Sequence, residues 1–253
     1  MDKIEIKTLR EIAIMTQGGK KLGRIKKKLE EAVGEGVSAA DVEKLATDLI
    51  RKEGGKPSFQ MVPGYSWSTC INTNEGVVHG IPKKEMVFKK GDLVSIDVGL
   101  YYQGFHTDTS ISLLVGEDKK KERFLKIGKE ALQAAINEAR VGNYLRDISA
   151  AIEGVLKKGK LEPIRALVGH GIGRKLHEAP AVPCFVRGLA QDLRLEEGLV
   201  LAIEVMYTSG HGEIVIDAED KWTIRTKDAK IAGLFEETVA ITKDGPLVLT
   251  KEN

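Results

Sequence analysis

From residue 4 to residue 34, isoleucine, leucine and methionine recur at helical spacing around a lysine-rich middle, KKLGRIKKKLEE, with no proline between them. That period predicts an amphipathic helix. Ser38 offers an N-cap to AADVEKLATDLIRK, and Gly54-Gly55 supplies the stop, so a second helix is expected over 38–52. Between Phe59 and Val115 the pattern changes to short β-rich runs broken by Pro63-Gly64, Gly80, Pro82 and Gly91, which predicts strands and loops. The plan then recurs, with helices over 119–139 and Gly142 to Lys158 and strands from about Ala166. Gly36, Asp41 and Val42 align at one offset with Gly142, Asp147 and Ile148. Either chance identities between amphipathic helices or a true duplication would produce this match. Duplication gives one domain of two similar halves, about 1–117 and 118–253, with a central seam suited to a site.

Within the strand-like runs, five polar residues stand among apolar neighbours or glycines: Asp97 in LVSIDVGL, Asp108 in DTSISLLV, His170 in LVGHGIG, Glu204 in LVLAIEVMY and Glu236 in GLFEETVAIT. A buried carboxylate is costly unless a cation or a proton offsets it. If LVSID and DTSISLLV form a hairpin turning at Tyr102-Gln103, Asp97 falls opposite Asp108, on one face with Ser95, Gly99, His106, Ser110 and Ser112. Two carboxylates so close suggest a shared metal. The bland reading is a polar hairpin facing water, with Glu204 and Glu236 on exposed edge strands. Glycines flank His170 and permit close backbone approach, and the seven-residue step to His177 is no helical zinc motif. One of these histidines can ligate while the other touches substrate. Four carboxylates and one imidazole carry too much negative charge for an ordinary structural zinc. Two divalent ions, Mn, Fe, Co or Zn, with an activated water match better, and that is a hydrolase's chemistry.

Composition narrows the class further. A chain of 253 residues with 42% apolar content can bury a full core, and a formal net charge of +2 makes no case for sequence-specific nucleic-acid binding. No apolar run nears the roughly 20 residues of a membrane span, and the charged start is unlike a signal peptide. Cys70 and Cys184 are far apart and form no CxxC pattern, so the expected compartment is a reducing cytoplasm.

At this point the residues resemble the type I methionine aminopeptidases, from IKTLREI to FEETVAIT, over nearly the whole chain. CINTNEGVVHGIP resembles the segment carrying that family's active-site histidine, here His79; IDVGLYYQGFHTDTS resembles its two-aspartate hairpin, and GHGIGRKLHEAP its two histidines. The resemblance implies an α+β pita-bread fold, a pseudo-twofold pair of helix-helix-strand halves around a curved antiparallel sheet. It implies that Asp97, Asp108, His170, Glu204 and Glu236 hold two divalent ions. His79 and His177 would contact substrate, and Glu204 would also carry a proton. Phe59, Tyr65, Cys70 and Trp222 would line the pocket for a methionine side chain. The implied reaction is removal of the N-terminal methionine from newly made proteins by a metal-activated water. Activity is expected to fall at acid pH as imidazoles become protonated.

The chain departs from that pattern at Val205, where relatives usually have proline, at Glu237, where they usually have histidine, and in AVPCFVRG. These changes bear on substrate choice more than on chemistry. The connection from Leu176 to Glu204 is too short for the insertion of type II enzymes, and about ninety residues before Asp97 are too few for the extra domain of prolidases. Two alternatives stay open: an Xaa-Pro aminopeptidase or dipeptidase of the same fold, and a non-catalytic binding protein. The expected partners are peptide N-termini; the lysines of the first helix read most simply as a solvated face, with ribosome contact as the weaker alternative. A monomer without membrane contact is expected.

Overall fold

Thr8 ends the extended N-terminal segment because its side chain accepts from the Glu11 amide while Glu11 reaches back to the Thr8 amide. This capping box starts helix α1 (Leu9–Ala32) about five residues later than the hydrophobic period alone suggests. Ser38 and Asp41 form the same box at the start of α2 (Ala39–Lys52). Asp118 caps α3 (Lys119–Glu138), and the Asp147 carboxylate accepts the Tyr144 amide at the start of α4 (Leu145–Lys158). The computed structural model describes residues 3–186, 188 and 193–251. Arg187, within AVPCFVRG, lies outside the described residues.

The strands in chain order are β1 (Lys56–Pro57), β2 (Thr69–Thr73), β3 (Gly76–Val78), β4 (Leu93–Tyr102), β5 (Phe105–Leu114), β6 (Glu162–Pro163), β7 (Val168–Gly171), β8 (Glu178–Pro183), β9 (Val200–Thr208), β10 (Ile214–Ile216), β11 (Ile224–Thr226), β12 (Ala232–Thr242) and β13 (Gly245–Val248). Ten of them form one antiparallel sheet with the path β1-β4-β5-β12-β9-β7-β8, and β10, β11 and β3 form a smaller sheet. The pairing pattern recurs on either side of the β5–β12 contact. On one side β1, β2 and β5 pair with β4; on the other β6, β7 and β12 pair with β9. The positions that align in sequence are also alike in structure: Gly36 and Gly142 both have positive φ, Asp41 and Asp147 both close a cap, and Val42 and Ile148 are both buried.

Alternation along the central strands separates their two faces. Val94, Ile96, Val98 and Leu100 of β4 pack with α1 and α2. Leu201, Ile203, Val205 and Tyr207 of β9 pack with α3 and α4. The intervening positions, Asp97 and Glu204 among them, therefore face away from the helices. Burying these apolar sets removes them from water at about 25 cal/mol per Å² and leaves the opposite face free for chemistry.

The β4–β5 hairpin differs from the expected turn at Tyr102-Gln103. Tyr102 pairs with Phe105, and the turn is Gln103-Gly104, both with positive φ (48° and 93°). A tight hairpin needs that left-handed backbone, which Gly104 takes without strain. The register moves with the turn: Asp97 faces Ser110 and Asp108 faces Gly99, so the two aspartates are not directly opposed. Their shared face survives because the displacement is an even number of residues.

Candidate metal centre

The register places Cys70, Asp97, Ser110, Glu236 and Glu204 in one row, each facing the next across β2, β4, β5, β12 and β9. Adjacent strands lie about 4.8 Å apart, so this row gathers three carboxylates on one face within a few strand widths. Asp108 is two residues from Ser110 on β5, and His170 on β7 pairs with Ala202, two residues from Glu204. Both therefore project to the same face. Ligand atoms of Asp108, His170 and Glu236 lie within 4.8 Å of one another. The His170 Nε2 is 3.5 Å from Glu204 Oε1. The reading of Glu204 and Glu236 as edge-strand surface positions is overturned, because β9 and β12 are interior strands paired over nine residues.

Main-chain and side-chain bonds set each group. The Thr109 amide donates to Asp108 Oδ1 at 3.0 Å. His170 Nδ1 lies 2.8 Å from the Gly171 carbonyl, which can only accept, so the proton sits on Nδ1 and Nε2 presents a lone pair to the cluster. The glycines beside His170 admit the neighbouring strands: a Cβ on Gly169 would stand 2.5 Å from the Ala202 carbonyl, and one on Gly171 2.2 Å from that of Ala179. Their close neighbour is backbone, of β9 for Gly169 and of β8 for Gly171, so β7 is held tightly between the two strands.

Burial dominates the electrostatics. It raises the Asp97 carboxyl to about 7, offset in part by hydrogen bonding to Asp108 and to the Val98 amide. Asp108 is pushed well above the usual carboxylate range by burial and then by Asp97 and Glu204. Glu204 is raised by burial and Asp97, and Glu236 by burial and Asp108. His170 is lowered to about 3 by burial and the nearby His177. Like charges held together out of water must take up protons or a cation. Asp97 Oδ1, Ser110 Oγ and Glu236 Oε1 are buried without a hydrogen-bond partner among the described residues. Unpaired carboxylate oxygens beside a neutral imidazole lone pair suit divalent cations, so the donor set fits a metal centre.

The carboxylates of the row lie at the floor of a cleft of about 130 Å³. Phe59, Tyr65, Cys70, His79, His177 and Trp222 line it together with Asp97, Asp108, His170, Glu204 and Glu236, so every side chain singled out in the sequence reaches one cleft. Val62, Val78 and Leu176 line it as well and were not foreseen. The adjacent apolar pair Val77-Val78 in a β-rich run was the one available signal; Val62 follows a short 3-10 turn and carries none. Tyr65 stands edge-on to Trp222 with ring centroids 5.1 Å apart, and its hydroxyl donates to the Thr69 carbonyl at 2.8 Å. Burial raises the Cys70 thiol, so that wall is neutral and polarizable.

His79 and His177 differ from the buried groups in being exposed on the cleft wall. His79 takes a left-handed backbone, φ 58°, and its ring stands edge-on to Trp222. His177 is edge-on to His170 at 4.6 Å. Partial desolvation by the cleft walls lowers the pKa of both, so both are neutral near pH 7. His106, on the Asp108 face, is lowered to about 4 by burial and bonds Ser58 Oγ through Nδ1 at 2.9 Å. On the opposite face of the sheet Lys26 pairs with Glu237 at 2.5 Å, and Lys21, Arg24 and Lys27 are also in ion pairs.

Residues 13–243 match metallopeptidase family M24. The methionine aminopeptidase of Aquifex aeolicus is 40% identical over 98% of this chain and 99% of its own length. The crystal structure of a methionine aminopeptidase from Thermotoga maritima superposes with a TM-score of 0.95 at 39% identity, covering 99% of this chain and 100% of that one. A prolidase from Pyrococcus furiosus shares the fold at a TM-score of 0.77 and 24% identity, with 98% of this chain covering 66% of the prolidase.

Proposed function

Because the chain belongs to metallopeptidase family M24, we propose that it hydrolyses the first peptide bond of peptides that begin with methionine, with Asp97, Asp108, His170, Glu204 and Glu236 holding two divalent ions in a pita-bread fold. The observation that carries this reading is the row of carboxylates with buried, unpartnered oxygens at the floor of a cleft. Divalent ions bound there supply a Lewis acid for the scissile carbonyl and lower the pKa of a water.

The protein's own groups do the remainder. Phe59, Tyr65, Cys70 and Trp222 give the substrate side chain an apolar, polarizable wall, closed by Val62, Val78 and Leu176. His177 is neutral and stands beside His170, where it donates to the oxygen of the tetrahedral intermediate. His79 bonds the substrate main chain. Glu204, ionised once divalent ions balance the charge of the row, takes a proton from the attacking water and passes it to the leaving amine. The 1–253 chain acts as one catalytic domain on N-termini of new polypeptides in the cytoplasm, as a monomer. Among the described residues no helix is long and apolar enough to cross a membrane. Ribosome contact through α1 gains little support, since four basic residues of KKLGRIKKKLEE are already in ion pairs.

The test is methionine release from Met-Ala-Ser by metal-stripped protein reloaded with Co, Mn, Fe or Zn, beside an Ala-Pro peptide and an Asp97→Ala control. Metal-dependent release that the control lacks is the expected result. Cleavage of the proline peptide alone would move the chain to the proline-specific branch, and no turnover with any metal would favour a binding protein.

A further inference from the structure

The two strands that meet at the middle of the sheet are joined in an unusual way. The flanking hairpin β4–β5 pairs over ten positions and β9–β12 over nine, but β5 and β12 pair only at Ser110–Glu236 and Thr109–Glu237. One residue beyond Thr109–Glu237 the register would bring Asp108 to Thr238, and two residues beyond Ser110–Glu236 it would bring Ser112 to Leu234. At both places a side-chain hydroxyl stands where a direct main-chain bond would be. The Asp108 amide donates to Thr238 Oγ1 at 2.8 Å, and Thr238 Oγ1 donates to the Asp108 carbonyl at 2.7 Å. The Leu234 amide donates to Ser112 Oγ at 2.8 Å, and Ser112 Oγ donates to the Leu234 carbonyl at 2.8 Å.

The main chain of Thr238 has been given other partners. Its amide donates to Thr250 Oγ1 at 3.0 Å, and its carbonyl accepts from the Leu249 amide at 2.8 Å. Thr238 has thus left β5 for the C-terminal segment, and only its hydroxyl still bonds Asp108. Ser112 is fixed from the other side by Ser95 Oγ at 2.7 Å. Each inserted oxygen replaces one direct contact of about 2.9 Å by two in series, so the strands diverge while their buried polar groups stay satisfied. The row that carries Glu236 lies at the crossing point.

We propose that Thr238 and Ser112 are positioning residues, whose inserted hydroxyls hold β5 and β12 apart so that Asp108 and Glu236 take the separation a two-ion centre needs. The inference rests on the metal-centre reading above. Asp108 and Glu236 come from opposite sides of this seam, and their ligand atoms lie within 4.8 Å of each other and of His170. A change of strand spacing is therefore transmitted directly to the donor set. Thr238→Val keeps the side chain's shape and removes the oxygen, leaving the buried Asp108 amide and carbonyl without their partner. Thr238→Ser keeps the oxygen.

The experiment is a titration of metal-stripped protein with Co²⁺, followed by calorimetry and by the visible absorption of the bound ion, with circular dichroism as the check on folding. Thr238→Val is expected to bind Co²⁺ at least about tenfold more weakly, with an altered spectrum, and Thr238→Ser to regain wild-type binding and spectrum. A folded Thr238→Val that binds Co²⁺ with wild-type stoichiometry, affinity and spectrum overturns the proposal, as does an equal loss in Thr238→Ser. If Thr238→Val does not fold, Ser112→Ala removes the other inserted oxygen at the cost of a single atom. An unchanged Co²⁺ spectrum and affinity there overturns the proposal, and a weakened, altered site supports it. Failure of wild-type protein to take up Co²⁺ would instead sink the metal-centre reading itself.

Discussion

Glu236 on β12 and Glu204 on β9 face each other directly across an antiparallel pair, with both carboxyl groups held well above the usual range by burial. Like charges placed opposite each other destabilise a sheet unless something neutralises them. Glu236→Gln removes one charge from that crowd. The metal-free variant should melt higher than metal-free wild type, whereas its affinity for divalent metal should fall by more than about 100-fold, beyond the loss expected of an outer-shell change. Scanning calorimetry with and without metal measures both, and a metal-free variant less stable than wild type would contradict the argument.

The same shifts give the pH dependence a sign. Asp97 has a folded pKa of about 7, above its unfolded value near 4. It therefore contributes stability that is present below pH 4 and is lost as pH rises through about 7. The difference in melting temperature between metal-free Asp97→Asn and wild type should shift in favour of the variant between pH 5 and pH 8. Metal binding must displace the same protons, so apparent affinity should climb with pH through 7 and calorimetry in buffers of different ionisation enthalpy should detect proton release. The acid limb expected from imidazoles alone is displaced, since burial lowers His170 to about 3. Carboxyl protonation dominates it.

His79 and His177 line the cleft wall without belonging to the buried row. His177→Ala should lower kcat by about 10² to 10³, the loss seen when one donor to a developing oxyanion is removed, with metal stoichiometry unchanged. His79→Ala should act more on KM. Loss of bound metal in either variant, read by elemental analysis, would assign them to the donor set instead.

Lys7 and Glu178 form a nearly inaccessible ion pair, with 0% and 4% side-chain exposure, and Glu178 follows His177 directly. Glu178 also accepts the Lys175 amide at 3.0 Å, so the pair ties the segment before α1 to the loop that presents His177. Lys7→Met leaves a buried carboxylate without its cation and should destabilise by about 3–5 kcal/mol. The double variant Lys7→Met, Glu178→Leu should recover much of that loss in denaturant unfolding. Additive losses would show that the two side chains do not act as a pair.

Much of the architecture was legible because it is local. The period of α1, the Ser38 cap and the alternation in LVSIDVGL and LVLAIEVMY follow from bonds within a few residues, and all recur in the structure. The hairpin was misjudged by one turn position: the expected turn already held Gln103 but took Tyr102 in place of Gly104, the residue that accepts the left-handed backbone without strain. The face of Asp97 and Asp108 was still right, since parity survives an even displacement. Val62 and Leu176 in the cleft, and the glycines packed on neighbouring strands, depend on segments far apart in the chain.

By itself the sequence determined which residues would be costly to bury: an acid within an apolar strand carries its desolvation penalty wherever that strand lies. It also determined their faces, because strand periodicity is a property of the backbone. Only the tertiary structure decided that Asp97, Ser110, Glu236 and Glu204 stand in one row and that Thr238 and Ser112 spread the seam beneath it. Register between strands separated by more than a hundred residues is set by the packing of all the helices on the opposite face. No local pattern along the chain records that sum.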